Sequence, residues 1–304
     1  MTEEAVTIPS AGLRLSATVR TPGGLRSGER CAAFLVLHGF GSNKNSSNVL
    51  QPTKMLNDLG YVTLGLDMRG CGDSEGEFGR VICLEQVDDT RNALTFLAKH
   101  PAVDPRRIGL IGSSFGGAVA VYTGGVDERV AAVISNGGWG DGERKFRGQH
   151  KSPEEWARFL DMLKAGREHR AKTGKSLMVP RYEIVPIPPH LRHNLASNSV
   201  QMFPAETAQS MFDFRADDVV AALRPGRSCC CTPRTIRLRR PNNPSSCSSA
   251  RDSPASCISS AMPTISCLPR AMPPSGICCA AGSPIISPRE RQQRNEPPAC
   301  AIDY

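Results

Sequence analysis

GLIGSSFGGAVAVY, residues 109–122, decides how the rest of this chain is read. Its first half is a short apolar run of the kind found in a strand buried on both faces, and its second half is small and apolar without a polar stripe, as in a buried helix. Gly112, Ser113, Ser114, Phe115 and Gly116 lie between the two. Glycines two before and two after Ser114 let strand and helix approach closely, so its Oγ stands above the sheet on a strained turn. A serine held this way is a candidate nucleophile, and the N–H of Phe115 at the helix start is placed to receive an oxyanion. The plainer alternative is a glycine-rich turn with an incidental serine.

Working outward, CAAFLVL (31–37), YVTLGLD (61–67) and RVAAVIS (129–135) are further buried-strand runs, separated by segments long enough for crossover helices. Leu84, Val87, Leu94 and Leu97 recur at near-helical spacing between two of them. Strands alternating with helices imply a mainly parallel sheet covered on both faces, in three layers. The alternating VTI and LRLSATV segments around Ala11 and Gly12 predict an antiparallel hairpin at the start. Beyond Asn136 the rhythm changes, and roughly seventy residues of charged, partly helical sequence without a convincing buried strand predict an insertion over the sheet. This candidate lid covers about residues 142–212. ETAQSMFDFRADDVVAAL then returns to the body, with Asp217 and Asp218 opening a short helix.

HGFGSNKN, residues 38–45, closes the first buried strand, and its small residues would let a second N–H, that of Phe40, face Ser114. His38 is expected to hydrogen-bond within the turn, and His38 and Gly39 are candidates for contact with substrate. Residues 31–136 resemble the α/β-hydrolase superfamily, near its serine aminopeptidase, acyl-thioesterase and dienelactone-hydrolase-like groups. The words that carry the likeness are LVLHGFGSNK, LGLDMRGCGDSEG and VDPRRIGLIGSSFGGAVA. The resemblance implies that Asp67, Arg69, Gly70 and Gly72 shape a loop beside the site. It also implies a serine hydrolase working without cofactor or metal on a small-molecule or peptide substrate.

Such a serine needs a histidine to take its proton and a carboxylate to orient that histidine. In this fold the order along the chain is Ser, then Asp or Glu, then His. Here all six histidines (His38, His100, His150, His169, His190, His193) lie at or before position 193. His190 or His193 could reach down from the lid, and Asp141 stands where some relatives carry the acid. Lid residues are poorly fixed against a sheet, so the base and acid stay unassigned.

Charge and cysteine locate the reason. The chain carries +8 overall, but residues 224–304 hold 11 Arg, no Lys and 4 acidic residues, leaving the body nearly neutral. Nine of the 12 cysteines fall in the same stretch, with 13 Pro, 13 Ser and no Val, His, Phe or Trp. That composition cannot bury a β-rich core. It also lacks paired metal-ligand spacing and the aromatic partners of a nucleic-acid surface. Read one base out of phase, each Cys-Cys junction must encode leucine, so SCCCT becomes an apolar strand. The same frame permits an aspartate across Thr235 and Ile236 and a histidine across Thr264 and Ile265. The sequence therefore predicts a hydrolase domain over residues 1–223, its last strands missing, followed by a non-native, disordered tail produced by a frameshift.

Three body cysteines, an acidic start and no run of ~18 apolar residues point to a cytoplasmic protein without membrane or nucleic-acid partners. The alternatives are an aminopeptidase-type peptidase and a catalytically dead hydrolase scaffold kept for binding.

Overall fold

The computed structural model describes residues 1–194, 199–223, 228–232 and 235–236. The predicted hairpin is β1 (Thr2–Ser10) and β2 (Leu13–Thr21), paired in register from Thr2↔Thr21 to Ser10↔Leu13. Ala11 and Gly12 both take positive φ (49° and 81°), as a two-residue turn that follows the strand twist requires.

The sheet continues with β3 (Cys31–Leu37), β4 (Val62–Leu66), β5 (Val103–Ser113) and β6 (Val130–Asn136), in spatial order β1-β2-β4-β3-β5-β6. From β4 to β6 neighbours run parallel, so the sheet is mixed but mainly parallel, as expected. The β3 and β4 runs are buried on both faces because helices cover both. Helix α1 (Ser47–Asp58) packs Val49 and Leu56 against Phe34, Val36 and Tyr61 on one face. On the other, α2 (Cys83–Ala98) and α3 (Phe115–Val126) cover Leu35, Leu37 and Leu110. Helix α2 is turned slightly from the sequence expectation. Cys83, Val87, Thr90, Leu94 and Leu97 form its buried stripe, while Leu84 lies on the outer side and is exposed.

The described residues between 142 and 213 pack on the loops after β3 and β4, through Arg181 and Val200 on Phe40 and Gly41 and through Thr207 on Gly79 and Val81. Helices α4 (Gly142–Gln149) and α5 (Pro153–Thr173) lead into a two-stranded ribbon, β7 (Met178–Pro180) and β8 (Met202–Pro204). The sequence gives no hint of this ribbon, since three-residue strands show no periodicity. Between its strands lie α6 (Arg181–Ile184) and a 3₁₀ turn (Pro189–Asn194). Helix α5 is delimited by sequence signals: Ser152 and Glu155 form a capping box, Pro153 stands at the first turn, and Gly174 closes it in the left-handed conformation. After β8 come α7 (Ala205–Asp213) and the expected short α8 (Asp217–Val220).

The sheet does not stop at β6. Beyond Leu223, β9 (Ser228–Thr232) adds parallel to β6, with Val133↔Ser228 to Asn136↔Cys231 in register, and β10 (Thr235–Ile236) turns back on it. The expected boundary at residue 223 falls just before this strand, and most of the tail expected to be disordered, 224–227, 233–234 and 237–304, lies outside the described residues. Strand addition needs only backbone N–H and C=O groups, and the open edge of β6 supplies a row of them. The out-of-phase histidine position at Thr264 and Ile265 lies outside the described residues.

Candidate active site

Strand β5 ends at Ser113 and α3 begins at Phe115, so Ser114 alone makes the turn, at φ 51° and ψ −111°. A non-glycine residue there is strained by about 1–3 kcal/mol. Two hydrogen bonds hold it: the Ser114 N–H donates to the Asn136 carbonyl at 2.7 Å, and its carbonyl accepts from the Ala118 N–H at 3.1 Å. The glycines permit the crossing. A methyl group on Gly116 would lie 2.5 Å from the His38 carbonyl oxygen and 2.6 Å from that of Leu37. On Gly117 it would lie 2.8 Å from Ser135 Oγ, and on Gly112 it would collide with the Gly116 carbonyl. The first turn of α3 thus lies directly on the ends of β3 and β6. Ser114 itself is exposed.

The loop after β3 meets this turn. Gly39 packs near the Ser113 carbonyl, and the Phe40 and Phe115 rings lie 6.1 Å apart. His38 is fully buried: Nδ1–H donates to the Gly39 carbonyl at 2.8 Å, and Nε2 accepts from the Met68 N–H at 3.1 Å. Burial holds its pKa below the ordinary imidazole value. With both nitrogens bonded to backbone, His38 serves the loop and has no free nitrogen for a ligand. The Gly39 carbonyl also accepts from the Ser42 N–H at 3.1 Å. Because the Gly39–Phe40 peptide is trans, the Phe40 N–H faces away from those two donors. Among the described residues no acceptor is bonded to it. The Phe115 N–H, first in α3, likewise lacks an intrahelical acceptor.

Asp67 and Arg69 hold the neighbouring loop. Asp67 accepts from the Lys44 N–H at 2.5 Å, Lys44 Nζ at 2.6 Å and the Asp73 N–H at 3.0 Å. Arg69 grips Asp89 through Nη2 (2.6 Å) and Nε (2.8 Å), and Ser10 Oγ reaches the same carboxylate at 2.5 Å. Gly72, at φ 54°, is required because a side chain there would enter the Asp67 carboxylate. All three groups are structural.

The residues weighed as base and acid do not converge on Ser114. Asp141 caps α4 by accepting from the Arg144 N–H at 2.7 Å, and it pairs with Arg215 Nε at 3.2 Å. His190 is exposed on the 3₁₀ turn, and the side chain of His193 is outside the described set. His150 stacks on Phe159 at 4.6 Å, with Nε2 3.4 Å from the Ile184 carbonyl. His100 Nδ1 accepts from the Ala102 N–H at 3.3 Å, far from the site in its loop before β5. Among the described residues no side chain hydrogen-bonds Ser114 Oγ, and no group of three metal-ligating side chains is present.

Sequence reasoning missed three residues around the site. Trp139, after β6, packs on Phe115 with ring centroids 5.8 Å apart. Lys145 Nζ lies 4.5 Å from the Trp139 ring centre and 4.0 Å from that of Phe146, and burial pushes the amine down to about 7. Arg181, at the start of α6, donates from Nη2 to the Phe40 carbonyl at 2.5 Å and from Nη1 to the Val200 carbonyl at 3.0 Å. Its guanidinium also lies 5.4 Å from the Phe40 ring centre. Each is a single residue far from the site in sequence, with no motif to mark it; only the GGWGDG turn after a strand hinted at Trp139.

A family model described as X-Pro dipeptidyl-peptidase (S15 family) matches residues 11–181. An uncharacterized 31.7 kDa protein of the traX-finO intergenic region of Escherichia coli is 32% identical over 148 residues, 48% of this chain and 50% of that protein. Polyketide transferase ATR5 of Stachybotrys chlorohalonatus is 34% identical over 110 residues, 36% of this chain and 37% of its own. The chain thus spans about half the length, or less, of these curated relatives. The crystal structure of hypothetical protein PA2218 from Pseudomonas aeruginosa superimposes with a TM-score of 0.61 at 25% identity, covering 74% of this chain and 75% of that one. None of the described helices is long and apolar enough to cross a membrane.

Proposed function

We propose, from the premise that this chain belongs to the X-Pro dipeptidyl-peptidase (S15) family of serine hydrolases, that its site is built to cleave a carboxylic ester, thioester or amide through an acyl-enzyme. One observation carries the reading. Ser114 sits exposed at φ 51° on the turn between β5 and α3, a strained conformation fixed by close glycine contacts. Ser114 Oγ would attack the acyl carbon, and the N–H groups of Phe40 and Phe115 would receive the charge that develops on its oxygen. Collapse breaks the bond to the leaving alcohol, thiol or amine and leaves the acyl group on Ser114. Water then releases it as an acid. Relatives named polyketide transferases favour a second outcome, in which an acceptor other than water takes the acyl group.

The proton from Ser114 needs an acceptor, and we assign it to a histidine encoded out of phase across Thr264 and Ile265, oriented by an aspartate across Thr235 and Ile236. Two features support this: the abrupt change in composition after Leu223, and a strand at 228–232 where an out-of-phase leucine run would also lie parallel to β6. The protein as written then keeps the nucleophile and lacks its base.

Sequencing the gene through the codons for residues 223–228 in an independent isolate tests the frame, and one uninterrupted frame there contradicts it. Restoring the frame and comparing p-nitrophenyl esters with aminoacyl anilides tests the activity and separates esterase from peptidase. Turnover of the restored chain, lost in Ser114→Ala, is expected. A folded restored chain that turns over neither substrate class would favour the binding-scaffold alternative.

A further inference from the structure

We infer that Arg181, contributed from the segment packed on the loops after β3 and β4, is the positioning residue that fixes the Phe40 N–H as an oxyanion donor. The inference rests on the serine-hydrolase reading above.

Arg181 bridges two separate pieces of chain. Nη2 donates to the Phe40 carbonyl at 2.5 Å and Nη1 to the Val200 carbonyl at 3.0 Å. Val200 returns the connection, its N–H donating to the Gly41 carbonyl at 2.8 Å, and Phe203 stacks on the Phe40 ring at 4.2 Å. Gly41 takes φ 54°, where a side chain would strike Phe203 and approach Arg181 Nη1. The carbonyls of residues 40 and 41 are therefore both bound by the covering segment. His38 and Ser42 bind the carbonyl of Gly39 from within the loop itself. Three successive carbonyls are held, and the Phe40 N–H, on the remaining side, is left for a ligand.

The cost of placing a cation here argues for a specific role. Arg181 makes no ion pair with a carboxylate among the described residues, and its Nε is buried without a hydrogen-bond partner. Desolvation lowers its pKa to about 10. A guanidinium offers the planar pair of donors that spans two carbonyls at once, whereas an ammonium is a point donor. The contacts join the loop after β3 to the residues just after β7, so substitution within the covering segment is transmitted to the oxyanion loop without touching Ser114.

The test uses the full-length chain and a fluorophosphonate probe at pH 9, where hydroxide assists removal of the serine proton. Labelling rates at Ser114 are measured over a range of probe concentrations, separating the maximal rate from the half-saturating concentration. For Arg181→Met we expect a maximal rate lower by about 10- to 100-fold, the size of effect that a displaced catalytic group produces, with the half-saturating concentration little changed. Arg181→Lys should recover part of the rate by binding one carbonyl. If Arg181→Met does not fold, the lysine variant carries the test, and its rate should still fall below that of the parent. Parent-like maximal rates in folded Arg181→Met, or in Arg181→Lys where methionine is not tolerated, overturn the role of Arg181. Failure of the folded parent to label overturns the serine-hydrolase reading and, with it, this inference.

Discussion

The N–H of Ser114 donates to the carbonyl of Asn136 at 2.7 Å, which ties the turn after β5 to the end of β6. The turn is thus held by its neighbour strand as well as by the helix that follows it, and the strained φ of Ser114 persists because these contacts over-determine it.

Gly116→Ala should open this junction. A methyl group 2.5 Å from the His38 carbonyl oxygen cannot be accommodated unless α3 moves off β3. Overpacking of this kind costs about 1–3 kcal/mol. Urea denaturation should register that loss. Fluorophosphonate labelling of Ser114 should fall as well, because the Phe40 and Phe115 donors separate.

His38 gives stability a defined pH dependence. Its folded pKa lies below the unfolded value of 6.5, so between the two the unfolded chain binds more protons and stability rises with pH. The His38 contribution is complete above about pH 6.5 and is lost as pH falls toward the folded pKa. His38→Gln should flatten the slope of unfolding free energy between pH 7.5 and about 5 relative to the parent. An unchanged slope would show that the ring is not the neutral hydrogen-bonding link between Met68 and Gly39.

Lys145 acts at higher pH. Burial lowers the amine from 10.5 to about 7, so the unfolded chain binds the extra proton between these values. The parent should gain stability as pH rises from about 7 toward 10. Lys145→Met should lose that gain and be the more stable of the two near pH 7. Thermal melts of both proteins across that range are the check.

Asp89 anchors α2 to both the hairpin and the loop after β4. Its fully buried carboxylate takes two bonds from the Arg69 guanidinium, a third from the Arg69 backbone N–H and one from Ser10. Asp89→Ala leaves the Arg69 cation partly buried and without that partner, and breaking a buried pair from one side costs about 3–5 kcal/mol. The loss should appear in equilibrium unfolding while far-UV circular dichroism of the native state is retained.

Much of this molecule could be read from local pattern. Continuous apolar runs located β3 to β6, the Ala11-Gly12 turn located the hairpin, and Gly112 and Gly116 located the turn that holds Ser114. Those features depend on neighbours in sequence. Arg181, Trp139 and Lys145 were invisible because their partners come from other elements. Arg181 meets Phe40 across 141 positions. The outward turn of Leu84 was missed for a related reason: one residue of phase in a helix moves a side chain off the buried stripe, and Cys83 occupies it instead. The role of His38 was legible only in kind. That it bonds within its turn follows from its place at a strand end, but that Met68 fixes its tautomer required the packing of β3 beside β4.

The central claim is that Ser114 is a nucleophile held ready for acyl transfer, and covalent labelling tests it most directly. Full-length protein, shown to be folded by circular dichroism, is incubated with a fluorophosphonate at pH 9, where hydroxide stands in for the missing base, then digested and mapped by mass spectrometry. The account predicts one adduct, on the peptide carrying Ser114, which disappears in Ser114→Ala. Folded protein without that adduct, or with the label on another serine at equal rate in Ser114→Ala, would contradict it.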